Sequence, residues 1–183
     1  DEMHKGIQLI CPTPQYLNDA YADYLRGEPA RDPAIVAMTF SRIDPTLAPE
    51  GKHSLFLWGQ YYPYRLRDGQ DWDEIATRES EKLFRVMDRF APGTSDQLID
   101  QYIQTPKSIA EKHNMPNANV MHVEMVIDQM FMFRPMPEMS QYATPLKGLF
   151  MASAGQHPGG GIFGAPGYNC AHEVRKSLRK KLR

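Results

Sequence analysis

The residues whose types and spacing could do chemistry are concentrated near the end of this sequence. Gly159-Gly160-Gly161-Ile162-Phe163-Gly164 satisfies the pattern G-x-G-x-x-G, within the stretch HPGGGIFGAPG that starts at His157. Glycines in such a turn let backbone N–H groups approach an anion, and a following helix adds a positive partial charge. A dinucleotide-binding βαβ unit needs more: a second strand after the helix and an acidic residue about 20 residues further on. Here Glu173 is the only acid after Gly164, and it falls inside the predicted helix. Pro158 and Pro166 flank the match, the second where a dinucleotide helix would already be under way. The motif is therefore read as a turn built for close backbone approach to a ligand, and not as a complete dinucleotide unit. A plain corner is the bland alternative. It accounts poorly for three successive glycines, the residue that loses most backbone entropy on folding.

Other candidates carry weaker signals. His122 and Glu124 alternate on one face if VMHVEMV is a strand, and with Asp128 and His157 they suggest a metal site. Two ligands at i, i+2 are a poor match to metal-site spacing, so a hydrogen-bonded or surface pair is the preferred reading and no metal is assigned. Cys11 and Cys170 lie far apart, which is neither a disulfide framework nor a ligand pair and points to a cytoplasmic or other reducing compartment. Cys170 reads as a small core residue on an apolar helical face. The tail RKSLRKKLR is basic, with Val174, Leu178 and Leu182 at i, i+4, i+8 opposite the charges. A docked helix with a solvated basic face is the favoured reading. Peripheral contact with an anionic membrane and self-association are the alternatives. The aromatic and methionine clusters FLWGQYYPY and QMFMF read as core by default, or as the lining of an apolar cavity.

These residues need a scaffold. A chain of 183 residues with 42% hydrophobic and 23% charged residues fits one domain, or one domain with a smaller lobe. A net charge of −1 gives no argument for nucleic acid. No apolar run approaches the ~18 residues of a membrane span. Short strands are predicted over 6–11, 34–41 and 53–62, with a turn-rich link that makes the last two antiparallel. A helix follows Thr13 and ends near Gly27, with Leu17, Ala20, Tyr21, Tyr24 and Leu25 on one face. A second helix starts at DWDE, where the dipole favours acids, and carries the stripe Ile75, Leu83, Val86, Met87 and Phe90. Further predictions are a strand over 97–104, a short helix capped by Thr105, a strand over 148–154 and a closing helix. Residues 119–133 remain open between strand and helix. The fold class is α+β: a mixed, largely antiparallel sheet with flanking helices, closed by a strand, the glycine turn and a helix.

TPLKGLFMASAGQHPGGGIFGAPGYNCA, from Thr144 to Ala171, resembles the C-terminal signature of the phytoene desaturase-like FAD-dependent oxidoreductases, in the branch of the pyridine nucleotide-disulphide oxidoreductase domain-containing proteins. IDPTLAPEGKH, HVEMVIDQMFMFRPMP and QLICPTPQYLNDAYADYLRGEP resemble further segments of that family, so the resemblance covers nearly the whole chain. Ser153 and Gln156 stand where the family turn usually has glycine and threonine. The resemblance implies the C-terminal part of such an enzyme: residues 1–118 as part of a substrate lobe and 119–183 as the return to a flavin lobe, without the N-terminal dinucleotide-binding domain. It implies FAD contacts at Ser153, Ala154, Gly155, His157, Pro158, Gly159, Gly160, Gly161, Ile162 and Gly164, with Ile162 nearest the flavin ring. It also places Asp128, Gln129 and Arg134 close to the flavin, where they shape a substrate cavity or form an internal ion pair that pins the loop. The implied partner is an apolar small-molecule substrate, and this chain alone is expected to bind FAD weakly or not at all. The alternative function is a non-catalytic interaction module that uses the basic C-terminal helix.

Overall fold

The computed structural model describes residues 2–161 and 163–181. It divides into two compact units, Asp1–Ile109 and Ala110–Arg183. Among the described residues there are four α-helices and one three-stranded antiparallel sheet, the mixed class that the sequence predicts.

The first unit holds the sheet. Its strands are β1 (Gln8–Ile10), β2 (Ile35–Met38) and β3 (Phe56–Gly59), in the order β1-β2-β3. Leu9 pairs with Val36, which pairs with Trp58, and Ile10 pairs with Ile35, which pairs with Gly59. Side chains alternate across a strand, so this register sorts them into two faces. One face, with Ile10, Ile35, Ala37 and Leu57, packs on Leu83, Val86 and Met87 of the helix α2 (Trp72–Asp88). The other face presents Leu9, Phe56 and Trp58, all substantially exposed. The cluster around Trp58, expected as core, is therefore divided: Leu57 packs on the core and Tyr62 on the buried Trp72, while Phe56 and Trp58 stand open.

The helices begin where their caps place them. Thr13 accepts a hydrogen bond from Tyr16 N–H at 3.1 Å and opens α1 (Pro14–Leu25). Asp71 accepts from Asp73 N–H at 2.8 Å and opens α2. Thr105 accepts from Ser108 N–H at 3.1 Å at the start of α3 (Pro106–His113). Burial follows the predicted stripes only in part. Ala20, Ile75, Val86 and Met87 are buried, whereas Tyr21, Tyr24, Leu25 and Phe90 are exposed. Phe90 lies beyond the last residue of α2, and Tyr21 and Tyr24 pack on each other and on Tyr61 instead of on the sheet.

Two predicted strands are corrected. Residues 97–104 carry no strand: a 3₁₀ stretch covers Ser95–Gln97, and Ile99 and Tyr102 are largely exposed. Residues 148–154 reduce to a single bridge, Ala143 to Phe150. Residues 119–133 are neither strand nor helix. They form turns, with short 3₁₀ stretches at Ile127–Gln129 and Phe131–Phe133.

A buried carboxylate ties the end of α1 to the segment after it. Asp23 accepts hydrogen bonds from the Arg31 backbone N–H at 2.9 Å and its Nε at 3.2 Å, and it also pairs with Arg26. Burial alone would raise the Asp23 pKa, but the hydrogen bonds from Arg31 and the charges of Arg31 and Arg26 bring it below its ordinary value. A folded-state pKa below the unfolded one means that the stabilisation is complete above pH of about 4 and is lost as pH falls through the lowered value. Asp23→Asn is expected to lower the denaturation midpoint at pH 7 and to flatten its decline below pH of about 4. Urea melts across that range check both effects.

Candidate functional site

The glycine turn lies in the second unit, and Arg134 organises its surroundings. No part of the Arg134 side chain is exposed. Its guanidinium donates to five backbone carbonyls: Met121 at 2.9 Å, Val123 at 3.0 Å, Glu124 at 3.3 Å, Gln129 at 3.3 Å and Ala154 at 2.7 Å. Its Nε also reaches Ala154 O, at 3.3 Å. Among the described residues no carboxylate pairs with it, so the loop is pinned by carbonyls and not by the ion pair that the sequence suggested. Burial pulls the Arg134 pKa below its ordinary value, yet a guanidinium keeps its proton in proteins. A cation in this position holds the irregular segment 121–129 against Ala154, the residue that leads into the glycine turn.

The turn itself is tightly wound. Gln156 N–H donates to Ser153 O at 3.0 Å, and Gly159 N–H donates to Gln156 O at 2.7 Å. The Ser153 hydroxyl accepts from Gly155 N–H at 3.2 Å, so this departure from the family's glycine closes the turn from its own side. Gly159, Gly161 and Gly164 have φ of +101°, +129° and +67°, a region that L side chains rarely adopt. A Cβ on Gly159 would lie 3.2 Å from the Met125 sulfur and 3.6 Å from the Arg134 guanidinium carbon. Among the described residues the N–H groups of Gly160 and Gly161 find no acceptor. Gln156 is fully buried, and neither its Oε1 nor its Nε2 has a hydrogen-bond partner among the described residues. A buried amide without partners costs about 1–3 kcal/mol, so this one marks a place where an outside polar group would be welcome.

Tyr142 joins the turn to the helix behind it, α4 (Ala165–Lys181). The Tyr142 hydroxyl donates to His157 O at 2.7 Å and accepts from Asn169 Nδ2 at 2.9 Å. A cavity of about 400 Å³ lies beside this junction, lined by Phe131, Met132, Tyr142, His157, Asn169 and His172 among others. The Phe131 and His157 rings meet at a tilt of 37° with centroids 5.2 Å apart. Phe131 and Met132 are exposed, as are Val126 and Ile127, so QMFMF is a surface cluster and not core.

The sequence candidates are distributed unevenly around this arrangement. Ala154, Gly155, His157, Pro158, Gly159 and Gly160 sit in the wound part of the turn, buried or half-buried, with Ser153 and Gly161 exposed at its two ends. Gly164 leads into α4, where its carbonyl accepts from Tyr168 N–H at 3.0 Å. Ile162 lies outside the described residues. Gln129 contributes its backbone carbonyl to Arg134, while the Asp128 side chain is exposed. His122 has φ of +65° in a turn, so the strand alternation that grouped it with Glu124 does not exist. Tyr142, Met125 and Asn169 were not singled out from sequence, and no local pattern marks them. Gln156 had a signal, its replacement of the usual threonine, but its burial did not show. Cys170 is buried as expected, and burial raises its thiol pKa. Leu178, in the basic helix, is exposed. No helix of the described chain is long and apolar enough to cross a membrane.

Comparison with known proteins gives the site its context. No family model matches the chain. It is 37% identical over 175 residues to pyridine nucleotide-disulfide oxidoreductase domain-containing protein 2 of Rattus norvegicus, covering 95% of this chain and 30% of that protein. The Mus musculus counterpart matches over the same shares, also at 37%. Phytoene desaturase (neurosporene-forming) of Rhodobacter capsulatus is 26% identical over 158 residues, 86% of this chain and 29% of the desaturase. The chain thus spans about 30% of the length of the curated relatives it matches.

Proposed function

The chain belongs to the phytoene desaturase-like oxidoreductases, and from that premise we propose that it supplies one wall of an FAD site, together with part of a substrate lobe, in an enzyme that takes hydride from an apolar organic substrate. The observation that carries this reading is the turn itself. Among the described residues, two consecutive glycine N–H groups find no acceptor, and in the same turn the fully buried Gln156 amide has no partner. A Cβ on Gly159 or Gly161 would run into Met125 or Phe163, and their left-handed φ disfavours side chains, so this backbone stays bare. These features fit a planar, polar-edged group pressed against backbone. FAD, when bound, supplies the hydride acceptor, and the protein supplies binding and orientation.

Each residue then has a defined task. Gly159, Gly160 and Gly161 admit the guest at van der Waals distance. Gly160 and Gly161 offer N–H donors, and Gln156 offers a donor and an acceptor. Arg134 and Tyr142 keep the turn from spreading when it is empty of other support, the first through Ala154 and the second through His157. The exposed apolar side chains Phe131, Met132 and Phe133 belong on the substrate side, where an apolar molecule would cover them and exclude water. Oxidoreductase and desaturase relatives favour this reading over the interaction-module alternative, whose support in the structure is the exposed Leu178 of the basic helix.

The test is direct. The complete gene product, purified without added cofactor, is expected to carry a flavin absorption band and to release FAD on denaturation, identified by chromatography. A folded full-length protein that neither retains nor takes up FAD overturns the proposal.

A further inference from the structure

We infer that Arg134 is a positioning residue that also acts electrostatically: it places a permanent positive charge directly behind the glycine turn, so that the site favours the anionic, reduced form of its guest over the neutral one. This rests on the flavin reading given above and adds to it a residue that sets the cofactor's potential.

Three observations lead here. The guanidinium is fully buried and, among the described residues, has no carboxylate partner. Its N–H groups are satisfied by carbonyls, which are dipoles. Dipoles solvate a cation but leave its net charge in place, and the field of that charge reaches further in a protein interior than in water. The turn backbone lies against the group, because a Cβ on Gly159 would be 3.6 Å from the guanidinium carbon. The acids nearest in sequence, Glu138, Asp128 and Glu124, are all exposed to solvent, so they screen Arg134 weakly. A reduced flavin carries negative charge near neutral pH, whereas the oxidised ring is neutral. A fixed cation beside the turn therefore stabilises the two states unequally, as a preorganised charge does at any site where negative charge develops.

A purely structural role predicts something different. If Arg134 served only as a fork for carbonyls, any variant that lost the fork would loosen the turn, and its charge would be irrelevant. Lysine keeps the charge and loses the fork. Glutamine keeps some hydrogen bonding and loses the charge.

The experiment is a dye-equilibrated reductive titration of the flavin-loaded complete gene product, as wild type, Arg134→Lys and Arg134→Gln. Arg134→Gln is expected to lower the midpoint potential by at least about 30 mV, a tenfold change for a two-electron couple. Arg134→Lys is expected to stay within about 10 mV of the wild type, even if it binds flavin less tightly. An unchanged potential in Arg134→Gln overturns the inference, and so does a drop in Arg134→Lys as large as that in Arg134→Gln. If Arg134→Gln does not fold, the lysine variant still decides: a wild-type potential at weakened flavin affinity supports the inference, and a lowered potential overturns it. A wild-type protein that holds no flavin fails the reading of the site itself, a result visible before any variant is made.

Discussion

Gly159→Val in the complete gene product is expected to abolish flavin retention, weakening affinity by about 100-fold or more. The cause is double. A β-branched residue at φ of +101° is strained whatever space surrounds it, and its Cβ would crowd the Met125 sulfur at 3.2 Å. Relief of either problem moves the turn backbone, and the turn backbone is what the guest is proposed to touch. Gly148→Ala is the control. Gly148 also has a left-handed φ, +88°, but no atom lies within 4 Å of a Cβ placed there. It should lose some stability to backbone strain, less than the branched and crowded valine, and keep its flavin. Flavin-to-protein ratios from absorbance, with calorimetric titration of the apoprotein, separate the two cases. Equal flavin loss in both variants would mean that general destabilisation, and not the shape of the turn, is being measured.

Trp72→Ala is expected to destabilise the chain by about 3–5 kcal/mol, the range for deleting a large buried aromatic side chain. Trp72 is only 3% exposed, its Nε1–H donates to Pro63 O at 3.0 Å, and its ring lies 5.9 Å from that of Tyr62. It is also the first residue of α2, the helix that closes the core face of the sheet. The substitution therefore leaves a cavity and an unmet carbonyl at the point where the helix is anchored. Trp72→Phe, which restores much of the bulk but not the donor, should recover all but about 1–2 kcal/mol. Urea denaturation followed by circular dichroism gives both numbers. A loss in Trp72→Ala below about 1 kcal/mol would show that α2 is held by other contacts.

What the sequence revealed and what it hid have separate physical reasons. The caps Thr13 and Thr105 were legible because a cap is local, one side chain and one N–H three residues away, while Asp71 was legible only as an acid in the first turn. The three strands, and the antiparallel pairing of the last two, were legible from β-rich composition and turn residues, whereas the pairing of β1 with β2 was not. Residues 97–104 misled because a β-rich composition does not supply a neighbouring strand. Residues 119–133 could not be settled because their conformation is imposed by Arg134, which collects carbonyls from four positions between 121 and 129 at once. No periodicity records such a hub. The glycine turn stood out by composition, while its most distinctive property, the buried Gln156 amide without partners, depends on packing from outside the motif.

The sequence contains two tryptophans, and the fold has put them in opposite environments, one at the start of α2 and the other on the open face of the sheet. Trp72 is sealed in, at 3% exposure, and Trp58 stands on the open face at 48%. The chain thus carries two native optical reporters with different access to solutes. An aqueous quencher such as iodide reaches Trp58 and leaves Trp72 glowing. Whatever comes to lie on the open face shields the first without disturbing the second. Emission can therefore follow the covering of that face in real time, with no label added and with the buried indole as an internal reference for an intact core.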